Sequence, residues 1–157
     1  GGIMAIKMFI REECTNHQEF ADNLSDEINA WLSDHSNIFV NFVDFRLAGN
    51  TEDNGKWYSI ISVKVDYSKS RIKAKKQKGG GAQLKGVRVK IFLDETNMEH
   101  QKLADEMSER VNVFIDDNPR RDVHFVDMRI ASMAVPSSGG WTALGLLVQY
   151  SDGTRRS

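Results

Sequence analysis

The sequence predicts an α+β fold made of two tandem βαββ repeats, and three observations support this prediction. The stretch NFVDFRLA at 41–48 returns as HFVDMRIA at 124–131, an offset of 83 positions. Without a gap, residues 6–48 align with residues 89–131, and sixteen of the 43 aligned pairs are identical. Both copies also alternate apolar and polar residues where strands are expected, and space apolar residues three or four apart where a helix is expected.

The identical pairs include ionisable, amide and hydroxyl side chains as well as apolar ones. They are Lys7/Lys90, Phe9/Phe92, Glu12/Glu95, His17/His100, Gln18/Gln101, Ala21/Ala104, Asp22/Asp105, Ser25/Ser108, Asn29/Asn112, Asp34/Asp117, Val40/Val123, Phe42/Phe125, Val43/Val126, Asp44/Asp127, Arg46/Arg129 and Ala48/Ala131. A match of this length without a gap indicates a tandem duplication.

The first repeat, residues 3–67, begins with the alternating run IKMFI at 6–10, which predicts a strand. A helix is expected next, with an apolar stripe made of Phe20, Leu24, Ile28, Trp31 and Leu32. The polar run DHSN at 34–37 ends this helix. Two further strands are predicted from IFVNFVDFRLA at 38–48 and from WYSIISVKVDY at 57–67.

The second repeat, residues 87–151, has the same order of elements. Its first strand is VRVKIFL at 87–93, and its helix carries the stripe Leu103, Met107, Val111, Phe114 and Ile115. After DDNPRR, the last two strands are DVHFVDMRIA and WTALGLLVQY. One βαββ unit alone buries little surface, so we expect the two repeats to pack as a pseudo-dimer with antiparallel sheets and one amphipathic helix each.

A basic, glycine-rich connector, residues 68–86, joins the repeats. Six of the ten residues from Lys69 to Lys78 are basic, although the whole chain has a net charge of −1. The segment is either a solvated linker or a contact for phosphate groups, and the candidate residues are Lys69, Arg71, Lys73, Lys75, Lys76 and Lys78. Because no aromatic residue interleaves these cations, nucleic-acid binding here would be weak and non-specific.

Composition and motifs give no indication of an enzyme. The single cysteine, Cys14, cannot form an intramolecular disulfide, which favours a reducing, cytoplasmic location. No run approaches the roughly 20 apolar residues of a membrane helix. The motifs G-x-S-x-G, C-x-x-C and H-E-x-x-H are absent, so we expect no catalytic residue, metal or cofactor. His17 and His100, beside the helical stripes, are interpreted as structural.

The candidate site comes from the second strand of each repeat. Val43, Phe45 and Leu47 are expected on the helix side, and Val40, Phe42, Asp44 and Arg46 on the opposite face, joined by Lys7 and Phe9 of the first strand. This mixed face either packs against another sheet or binds a ligand, with aromatic rings stacking on a planar group and cations meeting an anion. Including two tryptophans that begin final strands, the candidate ligand residues are Lys7, Phe9, Phe42, Arg46, Trp57, Lys90, Phe92, Phe125, Arg129 and Trp141.

The second repeat contains VKIF, then E-x-x-x-x-H-Q-x-L-A-D-x-x-x-x-x-V-N-x-F, then VDMRIA. With this pattern, each half resembles the compartment-specific, sigma-E-controlled small sporulation protein family of Bacillus-type bacteria and their phages. The resemblance implies the order strand–helix–strand–strand but no catalytic residues. The duplication and the lysine-rich connector depart from the single-copy family and suggest a derived, phage-encoded form.

Three hypotheses for function follow. The first is a non-enzymatic binding protein that sequesters an anionic, nucleotide-like small molecule on the duplicated face. The second is a homo-oligomeric scaffold or protein-interaction module, in which that face is an interface and no small ligand exists. The third is non-specific nucleic-acid binding through the connector.

Overall fold

The computed structural model describes residues 4–13, 17–51, 57–69, 85–96, 99–135 and 139–153. Its elements are β1 (Met4–Glu13), α1 (His17–Asp34), β2 (Phe39–Thr51), β3 (Trp57–Ser68), β4 (Arg88–Thr96), α2 (His100–Asp116), β5 (Arg121–Val135) and β6 (Gly139–Asp152). In these ranges the strands form two antiparallel, three-stranded sheets, ordered β1-β3-β2 and β4-β6-β5. The predicted α+β class, with antiparallel sheets and two helices, is confirmed.

The observed strands are longer than the apolar runs that predicted them. β1 pairs with β3 from Met4 opposite Ser68 to Glu13 opposite Ser59, well beyond the predicted 6–10. Backbone hydrogen bonds continue an antiparallel ladder whether or not the side chains are apolar. Periodicity therefore locates the buried part of a strand and misses its polar ends.

A β-bulge in β2 changes which side chains face the core. The register with β3 shifts between Val40 and Phe42, leaving Asn41 as the extra residue. Val40 and Val43 are consequently both buried, with exposed fractions of 2% and 0%. The expectation that Val40 shares a face with Phe42 is therefore wrong.

The two faces of each sheet have different surroundings. We call the face packed against the helix of the same repeat the helix-side face, and the other the back face. In the first sheet the helix-side face carries Ala5, Lys7, Phe9, Val43, Phe45, Leu47, Ile61, Val63 and Val65. The back face carries Met4, Ile6, Met8, Ile10, Phe42, Asp44, Arg46, Ser62 and Lys64.

The expectation that Lys7 and Phe9 share a face with Phe42 is wrong. β3 lies between β1 and β2, and both Phe9 and Phe45 are paired with Val63. Residues paired across antiparallel strands point to the same face, so Phe9 lies with Phe45 on the helix side.

The remaining members of the predicted surface are divided in the same way. Lys7 and Arg46 lie on opposite faces of the first sheet. In the second sheet, the register separates Lys90 and Phe92 from Arg129. The single mixed ligand face predicted for each repeat therefore does not exist.

The main core crosses from one repeat to the other. It joins the α1 stripe and the helix-side face of the first sheet to residues of the second repeat, namely Val87, Val89, Ile91, Leu93 and Leu147. α2 covers the helix-side face of its own sheet with a second cluster, Phe92, Leu103, Met107, Val111, Leu144, Val148 and Tyr150. We call the packing of α1 and the first helix-side face against β4 and the second back face the seam.

Gly145 allows the two sheets to approach closely at the seam. A Cβ atom on Gly145 would lie 2.8 Å from Cζ of Phe45 and 3.3 Å from Cδ2 of Leu47. Phe45 is fully buried there. Any side chain at position 145 would therefore push the sheets apart.

Candidate functional site

Polar side chains of α1 bind the outer edge of β4. Nδ2 of Asn29 donates to the carbonyl of Val89 at 2.9 Å, and Oδ1 of Asn29 accepts from the Val89 N–H at 2.8 Å. The Ile91 N–H donates to Oγ of Ser25 at 2.9 Å. The helix thus supplies the hydrogen bonds that a neighbouring strand would otherwise make, and closes an edge that would be open to pairing.

Gln18 extends this contact toward the start of α1. Its Nε2 donates to the Ile91 carbonyl at 3.1 Å, and its Oε1 accepts from the Leu93 N–H at 3.3 Å. The same Nε2 lies 2.8 Å from Oδ1 of Asp22, which forms an ion pair with Lys90 of the second repeat. The interaction between the repeats is therefore both a backbone and a charge contact.

A histidine–glutamate pair closes one end of the seam. Nε2 of His17 lies 3.2 Å from Oε1 of Glu95, and both side chains are largely buried. The hydrogen bond to Glu95 raises the pKa of His17 above its usual 6.5, opposed by burial and assisted by the charges of Glu95, Asp94 and Glu13. His17 thus has the structural role that its place beside the helical stripe predicted.

Arg129 joins the two sheets at the other end. Its Nε donates to the Phe45 carbonyl at 2.8 Å, and its Nη2 lies 3.3 Å from Asp127 and 3.8 Å from Asp44. Burial raises the pKa of Asp127, with Arg129 opposing that rise. Arg129 is therefore engaged in contacts between the repeats.

An open cleft of about 560 Å³ lies where α1, β4 and α2 meet. Its lining consists of Gln18, Asp22, Lys90, Phe92, Glu106, Glu109, Arg110 and Val113. Nζ of Lys90 and Cζ of Arg110 lie 5.5 and 5.9 Å from the Phe92 ring centroid. Both repeats contribute to this cleft, so it belongs to the seam.

Of the predicted ligand residues, Lys90 and Phe92 are brought together in the cleft. The Phe92 ring is only 5% exposed and packs edge-on against Phe114 at 5.7 Å, so little of its face is open for stacking. Lys7 lies 5.2 Å from the ring of Phe9, which is also 5% exposed. Each ring is a core residue covered by a cation.

The other predicted residues are dispersed. Phe42 is half-buried on the first back face, where the exposed Arg46 pairs with Asp44 at 3.2 Å. Phe125 is 37% exposed, far more than a core ring, and Trp141 is half-buried in β6.

The remaining predicted residues are Trp57 and the six cations of the connector. Lys69 is exposed at the end of the first repeat. The side chain of Trp57, which begins β3, lies outside the described residues, as do Arg71, Lys73, Lys75, Lys76 and Lys78.

The sequence analysis did not identify three residues that matter at this site, Gln18, Asp22 and Arg110. A signal existed for the first two, because Gln18 and Asp22 are identical to their counterparts in the second repeat. Arg110 had no such signal, since its counterpart is Glu27. Its place in the cleft follows only from the packing of α1 and α2 against β4.

Two rows of large apolar side chains remain exposed, one on each sheet. On the back face of β1, Met4, Ile6, Met8 and Ile10 are 50–64% exposed. On β5, Val126, Met128 and Ile130 are 40–60% exposed. Each row lies on one face of an edge strand.

In the described ranges, no helix has the length and apolar character needed to cross a membrane. No group of three or more metal-ligating side chains forms a candidate metal site there. No protein-family model, curated protein or solved structure matches the chain. The resemblance to the small sporulation proteins therefore stays a prediction.

Proposed function

We propose that this chain is a non-enzymatic protein-interaction module, formed by two βαββ repeats packed as a pseudo-dimer. The observation that carries the proposal is the pair of apolar rows on β1 and β5. Single exposed apolar residues are common on protein surfaces, but contiguous ones mark places where another protein binds. In each sheet, one face of an edge strand carries such a row.

The β5 row has the composition of a core strand. Val126 and Met128 occupy the positions of Val43 and Phe45 in β2, and both of those residues are fully buried at 0% exposure. Val126 and Met128 are 40% and 56% exposed. Covering such side chains stabilises a complex by about 25 cal/mol for each Å² of apolar surface removed from water.

A substitution at the centre of one row tests the interaction function. Met8→Asp places a charge in the β1 row. The side chain of Met8 is 64% exposed, so the substitution should leave the fold intact. We expect the wild-type protein to elute as a complex from size-exclusion chromatography, both purified and in extracts of its own cells, and Met8→Asp to elute smaller. Ser33→Asp, on the exposed side of α1, is the control. Elution of the wild type as a single chain in both settings would reject the proposal.

Sequestration of a small molecule is the second candidate, and the cleft at the seam favours it. About 560 Å³ is within the usual range for ligand pockets, and two cations flank an aromatic ring there. Three carboxylates, those of Asp22, Glu106 and Glu109, also line the cleft. Two cations against three carboxylates disfavour a polyphosphate, so the nucleotide proposed here is one with a single negative charge, such as a cyclic mononucleotide.

Isothermal titration with a cyclic mononucleotide and with a nucleoside triphosphate tests this candidate. We expect the cyclic mononucleotide to bind more tightly, and Arg110→Ala to abolish its binding. Arg120→Ala, in the exposed turn after α2, should bind like the wild type. Absence of heat with every nucleotide, together with no small molecule released on denaturing protein purified from cells, would eliminate sequestration.

A further inference from the structure

We propose that the partner of the two apolar rows is a second copy of this chain, bound head to tail through a repetition of the seam; the inference rests on the proposed interaction function and names its partner. Inside one chain, the helix side of the first repeat binds the back face of the second. Two equivalent surfaces do not take part in this contact: the back face of the first repeat and the helix side of the second.

The unused back face matches the one already in the seam. Val89, Ile91 and Leu93 of β4, and Val87 just before it, are at most 3% exposed, and the counterparts of Val87, Val89, Ile91 and Leu93 are Met4, Ile6, Met8 and Ile10. Both edge strands also have the same register, since Lys7 lies opposite Val65 and Lys90 opposite the equivalent Val148. β1 therefore offers a second copy the apolar row and the open edge that β4 offers to α1.

The unused helix carries the residues that bind a strand edge. The three edge-binding residues of α1 recur on α2 as Gln101, Ser108 and Asn112, all exposed. The conformation of two of them is also the same. Oγ donates to the carbonyl four residues earlier at 2.7 Å in both serines, and both glutamines donate to the aspartate four residues later, at 2.8 and 2.9 Å. α2 is thus arranged for a strand edge that the described part of its own chain does not supply.

The charges of the two surfaces outside the seam are complementary. In the seam, Lys90 pairs with Asp22, and Glu95 with His17. Repeating the seam between copies brings Lys7 of one chain to Asp105 of the next, and Glu12 to His100. Asp105, Glu12 and His100 are all exposed in the single chain. A partner of opposite charge therefore faces Lys7, and a carboxylate faces the imidazole of His100, in the repeated contact.

The duplicated identities follow the seam. Seven of the sixteen identical pairs contain a polar residue of the contact between α1 and β4: Lys7/Lys90, Glu12/Glu95, His17/His100, Gln18/Gln101, Asp22/Asp105, Ser25/Ser108 and Asn29/Asn112. In each pair, one member makes the seam and the other lies outside it. Exposed polar positions tolerate most substitutions, so identity of the second member indicates a second use.

Ion pairs within a repeat provide the contrast. The first repeat joins its first strand to its helix through Arg11 and Glu27. The equivalent pair in the second repeat is Asp94 with Arg110, at 3.3 Å and with the charges reversed. This pair between strand and helix has thus diverged with compensating charges, whereas the polar contacts between α1 and β4 have kept the same residues in both copies.

The sheet contact fits the same scheme with a compensated change of size. Phe45 packs on Gly145 within the chain. Their counterparts are Met128, which is 56% exposed, and Ser62 on the back face of the first sheet. Where the seam sets a large ring against glycine, the repeated contact sets a narrower, more flexible methionine against serine.

A head-to-tail contact joins different surfaces of identical chains and so continues until it closes into a ring or grows as a filament. Charges placed in the two rows separate this arrangement from a two-fold dimer. Met8→Asp blocks the back face of the first repeat at β1. Met128→Asp blocks the helix side of the second repeat, formed by α2 and β5. Both residues are at least 56% exposed, so both variants should fold, which circular dichroism and thermal unfolding verify.

Sedimentation velocity provides the readout. We expect wild-type protein and Ser33→Asp to form assemblies larger than a dimer, and each blocked variant alone to be monomeric. An equimolar mixture of the two variants should form a dimer and nothing larger, because each mixed pair has one intact contact and two blocked ends.

Three results would overturn head-to-tail association. They are a mixture that remains monomeric, assembly of either blocked variant alone, and a wild type that is monomeric when pure. If the pure wild type is monomeric but Met8→Asp still removes a larger complex seen in cell extracts, the interaction function stands and the second copy as partner is rejected.

Discussion

Both hydrogen-bonding atoms of the Asn29 side chain are used by the backbone of one residue, Val89. This contact makes a helix of the first repeat the lateral neighbour of a strand in the second. Asn112, the identical residue on α2, is exposed and has no such strand beside it among the described residues of the chain. The duplication thus provides a matched control for every substitution in the seam.

Asn29→Ala should lower the free energy of unfolding by about 1–3 kcal/mol, because it leaves the buried amide group of Val89 without partners. Asn112→Ala should change it by no more than about 0.5 kcal/mol, because that side chain is exposed in the single chain. Urea denaturation in the Met8→Asp background, which keeps the protein monomeric, measures both. Equal effects of the two substitutions would contradict the assignment of Asn29 to the seam.

The His17–Glu95 pair should make stability depend on pH. The pKa of His17 is raised above 6.5 in the folded protein, so the pair contributes its full stabilisation below pH 6.5 and loses it as the pH rises through the raised value. We expect the free energy of unfolding to fall across that interval. In the monomeric Met8→Asp background, His17→Gln should remove this part of the pH dependence, and His100→Gln, outside the seam of the single chain, should retain it. An unchanged pH profile in His17→Gln would contradict the prediction.

Gly145→Ala should destabilise the chain by about 1–3 kcal/mol, since the added methyl group overlaps the Phe45 ring. Phe45→Leu combined with Gly145→Ala should cost less than the sum of the single substitutions, because the shorter side chain makes room. Ser62→Ala is the control at the equivalent back-face position. Thermal or urea unfolding of Gly145→Ala, Phe45→Leu, the double variant and Ser62→Ala measures these changes in stability. Strict additivity of the two single substitutions would mean that positions 45 and 145 do not touch.

A reversal of charge should test the ion pair expected between chains. Lys7→Asp places a carboxylate opposite Asp105 of the next copy and should weaken assembly. Lys7→Asp combined with Asp105→Lys should restore it, because the pair then has its signs exchanged. Sedimentation at matched concentration measures both, and a double variant weaker than Lys7→Asp alone would place these residues apart.

The sequence predicted what depends on local pattern. Element order, the helical stripes and the burial of Val43 and Phe45 follow from periods of 3.6 and 2 along single elements. The burial of Val40 was missed because a bulge adds one residue without any change in composition.

Relations between distant elements were not predictable in the same way. Alternation within β1 shows that Lys7 and Phe9 share a face, but the register with β3, some fifty residues away, decides which face that is. Arg110 enters the cleft because helices of both repeats pack against β4. The identity of Gln18, Asp22 and Asn29 with their counterparts was visible from the start, but only the seam gives those residues a common role.

Amide hydrogen exchange along β1 tests the repeated seam most directly, because the proposed contact forms hydrogen bonds to the backbone of β1. The wild-type assembly should protect the amides of Ile6, Met8 and Ile10 as strongly as those of Val89, Ile91 and Leu93. In Met128→Asp, a change on β5 and remote from β1, protection should be lost at β1 and retained at β4. Equal exchange at β1 in the wild type and in Met128→Asp would contradict head-to-tail association.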